Sequence, residues 1–336
     1  NLEVATVGRT GTTYREKTSG FTHSPILGWA YDGYPIYGPY GYSDPANAKS
    51  AVRRIKSSFR LRSITARTSL PDWLLSYHNG VPQQLNTNQY GPAINATFPL
   101  GRYIEDFEWV STVGDLDQYN GRFTVTPEFP AGTYAYFVTI DDTGAPAFPY
   151  IIGMQYYGTA TTGNVTVPSD ATDYFANGKL AGSASADPRL NSFPTKNSQQ
   201  AAQVVIGWDP SAGPQTTWPG TQPRGASNAS GGASTPQNAD VQRIRSNAAT
   251  VFVNSNDLPS YTIGPWFIDS NGGVFPNFPS AQNFLSQISR NPQAAAGART
   301  STGLGAVGVW VNGVAVFNVL DGGSYSATAK ADQGGG

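Results

Sequence analysis

The stretch HSPILGWAYDGYPIYGPYGY, residues 23–42, contains five tyrosines, one tryptophan, four glycines and three prolines in twenty positions. Asp32-Gly33 is a dipeptide that favours a hairpin turn, and aromatic residues flank it on both sides. Pro35 lacks a backbone N–H, so we expect its strand to lie at a sheet edge or to be bulged. The stretch therefore predicts a stiff aromatic β-ribbon.

This ribbon has two interpretations. A row of rings interrupted by glycines at a sheet edge is a surface on which sugar rings can stack. The same residues also suit a packed corner whose tyrosine hydroxyls bond to neighbouring carbonyls, and that is the simpler interpretation. The candidate ligand-binding residues are those around the turn: Trp29, Tyr31, Asp32, Tyr34 and Tyr37.

Alternation with a period of two predicts further strands. Phe123–Val125 and Thr133–Ile140 flank a Pro/Gly turn, and Thr250–Val253 precedes a second apolar run at Thr262–Ile268. Ala306–Val311 and Ala315–Asn318 are joined by Asn312-Gly313, the pair that type I′ hairpin turns favour. Helical patterns are few, at Leu70–Tyr77 and Ser280–Ser289.

These patterns predict a mainly β fold, in antiparallel β-sandwich or barrel-like blocks with long Gly/Pro-rich loops and few short helices. We expect a β block with the aromatic signature at residues 1–180. A Ser/Gly/Pro-rich, partly ordered connection follows at 181–240. A second β block at 241–336 is expected to pack with residues 1–60 as one unit.

The composition excludes several classes of protein. The 21 basic and 22 acidic residues nearly cancel, so no nucleic acid partner is expected. The chain has no cysteine, which rules out disulfides and thiolate metal sites, and no apolar run long enough to span a membrane. A charged fraction of 13% with abundant Gly, Pro and aromatic residues is typical of a secreted or cell-surface protein.

Two places are candidate metal sites. His23 is a candidate ligand of a transition metal, although the two histidines, His23 and His78, show no ligand spacing. Asp115, Asp117 and Asn120 place oxygen atoms as a calcium loop would, but the closing glutamate of an EF-hand is missing. An Asx-rich turn is the simpler interpretation.

Acidic residues mix with aromatics in RYIEDFEW, residues 102–109, as they do in a sugar cleft. A glycoside hydrolase needs two carboxylates at a defined separation, which sequence does not give. The acidic residues from which such a pair would be drawn are Asp32, Glu105, Asp106, Glu108 and Glu128.

Residues His23–Gly41 closely resemble the signature of the YHYH domain family, which are mostly secreted bacterial proteins named for a Tyr-His-Tyr-His motif. Gly303–Asn318 and Asn120–Thr139 resemble further segments of the family. The Tyr-His-Tyr-His motif itself is absent. In the family, the segment that Gly303–Asn318 resembles precedes the one that His23–Gly41 resembles, whereas in this chain it follows. One hypothesis is that residues 1–336 do not follow gene order and that a missing histidine-bearing stretch once joined Gly336 to Asn1. The alternatives are a natural permutation and proteolytic excision. The resemblance implies a location rather than a biochemical activity.

The resulting hypothesis is an extracellular bacterial surface or matrix protein with a non-catalytic binding or assembly role. Its expected partners are glycans, cell-envelope components or further copies in a homo-oligomer. The alternative is a secreted metal-dependent enzyme, oxidative or active on polysaccharide. That enzyme would use His23 and ligands from the missing segment.

Overall fold

The computed structural model describes residues 7–10, 13–16, 20–77, 84–161, 165–177, 179–193, 241–255, 257 and 282–319. The strands are β1 Val7–Thr10, β2 Thr13–Glu16, β3 Ile26–Ala30, β4 Pro35–Tyr37, β5 Tyr40–Tyr42, β6 Val52–Arg54, β7 Phe59–Leu61, β8 Phe107–Trp109, β9 Gly121–Thr124, β10 Thr133–Phe137, β11 Thr172–Ala176, β12 Lys179–Leu180, β13 Val241–Ser246, β14 Thr250–Ser255, β15 Phe284–Ser289, β16 Gly308–Trp310 and β17 Ala315–Val316. The helices are α1 Asp72–Tyr77 and α2 Pro188–Asn191, with 3₁₀ turns at Thr87–Gln89 and Ile104–Asp106.

The aromatic ribbon forms the middle of a six-stranded sheet with the order β17-β16-β3-β4-β10-β9. The predicted edge position of Pro35 is wrong, because β4 lies between β3 and β10. Pro35 is tolerated as the first residue of its strand, and the register of β3 opposite shifts between Ile26 and Gly28. All pairs in this sheet are antiparallel except β4 with β10, which run parallel.

Both predicted glycine hairpins are confirmed. In the first, Gly33 N donates to Ala30 O at 2.9 Å and Gly33 has a φ of +87°. In the second, Gly313 N donates to Trp310 O at 2.8 Å and Gly313 has a φ of +86°. The predicted type I′ turn is wrong, since Asn312 is not at positive φ and that turn needs two such residues. β16 pairs with β3, so the two hairpins lie side by side.

The second sheet has five antiparallel strands in the order β12-β11-β13-β14-β15. The predicted helix at Ser280–Ser289 is wrong, because Phe284–Ser289 forms the strand β15. Ser286 and Ile288, at alternate positions of this strand, are buried. The pairing of β15 with β14 overrides a helical pattern that is only two turns long. The predicted strand at Thr250–Val253 is confirmed within β14, whereas Thr262–Ile268 lies outside the described residues.

The two sheets pack face to face around one apolar core, which confirms the mainly β, sandwich-like fold. The shared core holds residues of both sheets and of the segment around α2: Trp29, Tyr37, Phe137, Val309, Phe175, Val251, Val253, Ile288, Leu190 and Phe193. The other face of the six-stranded sheet packs against residues around 150–157. A third cluster joins α1 to Phe148 and Met154, next to the small sheet of β7 and β8.

Helix α1 confirms the prediction at Leu70–Tyr77. Within the described ranges, no helix is long and apolar enough to cross a membrane. Residues 194–240 and both chain ends lie outside the described residues, as does His78. The predicted connection at 181–240 and the predicted stretch between Gly336 and Asn1 therefore stay predictions.

Candidate functional site: a buried tyrosine–carboxylate cluster and a tryptophan cleft

Asp32, at the tip of the ribbon hairpin, is fully buried and is held by three donors. Tyr136 Oη donates to Asp32 Oδ2 at 2.6 Å, and Gly158 N donates to the same oxygen at 2.9 Å. Tyr34 N donates to Oδ1 at 3.3 Å. Burial nevertheless raises the pKa of Asp32 to about 6, because removal from water disfavours the charged form more than these bonds favour it.

Asp117, in the loop before β9, is held in the same way as Asp32, by two backbone N–H groups and one tyrosine hydroxyl. Tyr119 N and Gly121 N donate to its Oδ1 at 2.9 and 3.1 Å, which is the Asx-type turn that the sequence favours. Tyr134 Oη lies 3.0 Å from both carboxylate oxygens. Burial raises the pKa of Asp117 to about 6 as well.

β10 links these two carboxyl groups, since Tyr134 and Tyr136 stand two residues apart on one face of that strand. Their rings meet edge to face at 5.2 Å, and Tyr134 stacks on Tyr157 with the ring centroids 3.6 Å apart. We call Asp32, Asp117, Tyr34, Tyr134, Tyr136 and Tyr157 the tyrosine–carboxylate cluster. Burial raises the pKa of the Tyr134 and Tyr136 hydroxyls well above 10, so they are neutral hydrogen-bond donors and serve as structural groups.

The cluster predicts a pH-dependent stability. Asp32 and Asp117 bind protons more tightly when folded, with pKa values near 6 against an ordinary 3.8. Their contribution to stability is therefore fully present below pH 4 and is lost as the pH rises through 6. Between pH 5 and 7.5 the free energy of unfolding should fall by about 1 kcal/mol for each carboxyl.

Urea denaturation at the two pH values measures this change. Asp32→Asn, which mimics the protonated carboxyl, should reduce the fall, while the exposed control Asp142→Asn should not. An unaltered pH dependence in Asp32→Asn would contradict the assignment.

The candidate transition-metal ligand His23 packs between two tyrosines of the ribbon. Its ring meets Tyr37 edge-on at 5.1 Å and Tyr42 at 4.8 Å, and its Nδ1 lies 2.8 Å from Ser24 O. Burial lowers the pKa of the imidazole, which favours the neutral ring. Nε2 is buried without a hydrogen-bond partner in the described residues. A transition metal at His23 stays a prediction.

The three candidate calcium ligands are engaged with different partners. Asp115 accepts two bonds from Arg53, at 2.6 and 2.7 Å, while Asp117 belongs to the cluster above. Burial opposes the charge on Asp115, but its bonds to Arg53 and to Lys56 N leave its pKa lowered. Asn120 Nδ2 donates to two backbone carbonyls, at 2.8 and 3.0 Å. Among the described residues, no group of three or more His, Cys, Asp or Glu is arranged to hold a metal, and calcium also stays a prediction.

Two of the candidate ligand-binding residues, Trp29 and Tyr37, have no exposed surface. Trp29 Nε1 donates to Ser192 Oγ at 3.0 Å, and Tyr37 Oη donates to Thr126 Oγ1 at 2.9 Å. Ligand binding by these two residues stays a prediction, and their packing gives them a role between the sheets. Tyr31, which is half-buried, lines a groove beside β15.

A second site combines Trp109, which ends the acid–aromatic run at residues 102–109, with Trp73, which the sequence does not connect to that run. Trp73 of α1 and Trp109 of β8 line one cleft of about 580 Å³. Trp73 Nε1 donates to Phe107 O at 2.9 Å, and Trp109 Nε1 donates to Leu116 O at 3.3 Å. Both indoles are half-buried and fixed by the backbone. We call this the tryptophan cleft.

Polar and charged side chains surround the two rings: Arg62, Asp72, Glu108 and Gln118. Arg62 is held by bonds from Nη1 to Ser69 O and Glu105 O, both at 2.9 Å. Glu108 accepts from Arg60 at 2.8 Å. Fixed aromatic faces beside hydrogen-bonding groups suit a ligand with apolar C–H faces and hydroxyl edges. The acid–aromatic run at residues 102–109 was the signal in the sequence for this site.

The acidic residues proposed for glycoside hydrolysis enter separate contacts. Asp106 pairs with the buried Arg67, Asp32 bonds to Tyr136, and Glu128 accepts from Tyr37 at 2.8 Å. Of the acidic residues named from the sequence, Glu108 alone lines the tryptophan cleft, where Asp72 is the second carboxylate.

Comparison with protein families matches residues 9–151 to the family described as YHYH protein. This range includes the ribbon, β10 and the tryptophan cleft, and it ends before Gly303–Asn318. No curated protein and no solved structure gave a significant match. The resemblance found in His23–Gly41 is thus confirmed, since residues 9–151 match the model of the YHYH family.

Proposed function

We propose that this protein is an extracellular, non-catalytic carbohydrate-binding protein of the bacterial surface or matrix, and that the tryptophan cleft holds its ligand. The observation that carries the proposal is the pair of fixed indoles, Trp73 and Trp109, in one polar cleft. A volume of about 580 Å³ falls in the range of small-molecule sites and accommodates a short oligosaccharide.

The fixed indoles reduce the entropy lost on binding. Each Nε1–H is already bonded to a carbonyl of the protein, and Trp73 is further packed edge to face on Phe59 at 5.5 Å. A ring that is already held by a hydrogen bond loses less freedom when a sugar stacks on it, so more of the contact energy appears as affinity.

The charges of the cleft favour a neutral glycan. Asp72 and Glu108 can accept hydrogen bonds from sugar hydroxyls, while Arg62 and Gln118 can donate them. Because Glu108 is paired with Arg60 and Arg62 lines the same cleft as Asp72, the charges at the cleft nearly balance and give no net attraction for an anionic polysaccharide. The net charge of −1 adds no long-range attraction for polyanions.

The proposal predicts that single tryptophan substitutions abolish most of the affinity. Trp73→Ala and Trp109→Ala should each weaken binding at least tenfold, since buried aromatic anchors typically contribute about 2 kcal/mol or more. Isothermal titration with cello-, xylo- and chitohexaose measures the effect. Phe317→Ala, at an exposed aromatic residue outside the cleft, is the matched control. Failure of the wild type to bind any of the three sugars, or unchanged binding by both variants, would overturn the proposal.

One observation favours the metal-dependent enzyme as a second candidate. His23 Nε2 is buried and has no hydrogen-bond partner among the described residues, as expected for a nitrogen reserved for a metal. Elemental analysis of protein purified from its native source tests this candidate. Stoichiometric copper, iron or zinc that His23→Ala removes would support it, and metal-free protein would reject it.

A further inference from the structure

A groove of about 320 Å³ runs beside β15, the last strand in the order of the five-stranded sheet. Leu285 and Gln287 of this strand line the groove, and so do Gly303 and Gly305. Tyr31 from the ribbon hairpin also lines the groove, and its hydroxyl lies 3.3 Å from Ser286 Oγ. The groove therefore lies where the two sheets of the sandwich meet.

The backbone of β15 presents hydrogen-bonding groups on its outer side. Arg290 N donates to Ala249 O. Because backbone groups alternate in direction along a strand, Phe284, Ser286 and Ile288 direct theirs toward β14. The intervening residues direct theirs away, as Ser289 O shows by accepting from Arg189 Nε at 3.0 Å. Leu285 and Gln287 therefore point their N–H and C=O groups outward, and no residue of the described ranges bonds to them.

The chemistry of the groove restricts what can fill it. None of the described residues that line it carries a charge, so a charged ligand would lose its hydration without gaining a partner among them. A side chain added at Gly303 or Gly305 would meet no atom within 4 Å, so this wall leaves open space beside the strand. A strand edge to which no described residue pairs, beside open space, suits another extended backbone.

We propose that β15 accepts an extended, uncharged peptide segment of a partner protein as an added strand of the five-stranded sheet. Backbone bonds to Leu285 and Gln287 would supply the affinity, and the uncharged walls would select side chains that are polar or apolar but not ionised. This peptide site is separate from the tryptophan cleft and does not depend on the carbohydrate proposal.

A bead-displayed library of capped, uncharged octapeptides tests the proposal, with fluorescence anisotropy for the selected binders. Gln287→Pro removes one outward N–H that the pairing with β14 does not use, so the fold should persist while peptide affinity falls at least tenfold. Gln287→Ala retains the N–H and should keep most of the affinity. Methylation of alternate amide nitrogens of the peptide should weaken binding to the same extent as the proline.

Further measurements cover the other outcomes. If Gln287→Pro does not fold, Gly303→Leu with Gly305→Leu fills the open space next to these glycines and should also abolish binding. Absence of any selected peptide, or binding that survives both amide methylation and the filled groove, would overturn the proposal. A concentration-dependent dimer that Gln287→Pro abolishes would assign the groove to a second copy of this chain and would overturn the partner assignment.

Discussion

Replacement of Asp106 by alanine should lower the free energy of unfolding by about 3–5 kcal/mol, because it leaves a buried guanidinium without its carboxylate. Arg67 Nε and Nη2 each donate to an oxygen of Asp106 at 2.8 Å. The side chains of Arg67 and Asp106 are 1% and 0% exposed, so water cannot replace the lost partner. Asp106 Oδ2 also accepts from Gly101 N at 2.9 Å and Tyr103 N at 3.2 Å.

Urea denaturation followed by tryptophan fluorescence measures the loss. Glu108→Ala breaks the exposed pair with Arg60, whose side chains are 56% and 35% exposed, and should cost less than about 1 kcal/mol. The double variant Arg67→Met/Asp106→Leu should recover only part of the loss. It avoids the buried charge, but Gly101 N and Tyr103 N lose their acceptor and the carbonyls of Pro92 and Pro99 lose their donor. If the free energy of unfolding of Asp106→Ala lies within about 1 kcal/mol of the wild-type value, the Arg67–Asp106 pair does not stabilise the fold as expected.

Trp29→Ala should cost about 3–5 kcal/mol, the range for a fully buried tryptophan. Trp29 has no exposed surface and lies between the two sheets, where Phe129 meets it edge to face at 6.4 Å. The Arg189 guanidinium lies over its ring at 5.1 Å. Alanine would leave a cavity that the paired strands around it cannot close.

Trp29→Phe is the matched control, since it keeps an aromatic ring and loses only part of the volume and the bond to Ser192. It should cost clearly less than Trp29→Ala under the same denaturation conditions. A Trp29→Ala protein as stable as Trp29→Phe would contradict the placement of the ribbon in the core, and the ribbon would again be a candidate ligand-binding surface.

Local sequence patterns predicted the strands of the ribbon and both glycine hairpins, because turn residues and alternation act over a few positions. They missed the turn type at Asn312-Gly313, where one glycine at positive φ is sufficient. They assigned helix to Ser280–Ser289, where the six-residue pairing of β15 with β14 decides the conformation. Such pairing depends on residues distant in sequence.

The same limit explains which site residues could be predicted. Asp32 and Asp117 were singled out one by one, but their association depends on Tyr136 and Tyr134 of β10, which no local pattern connects to them. The tryptophan cleft forms because β7 pairs with β8 across the intervening residues 62–106. Trp109 thereby comes to line the same cleft as Trp73, which the spacing in the sequence does not reveal.

The most direct test of the tryptophan cleft as the glycan site is a titration of ¹⁵N-labelled protein with the oligosaccharide that binds in calorimetry. The indole N–H signals of the seven tryptophans are followed and assigned by single substitutions. We expect the signals of Trp73 and Trp109 to shift with saturation while that of Trp29 stays in place. A shift of Trp29 with Trp73 and Trp109 unmoved would contradict the assignment and return the binding site to the aromatic ribbon.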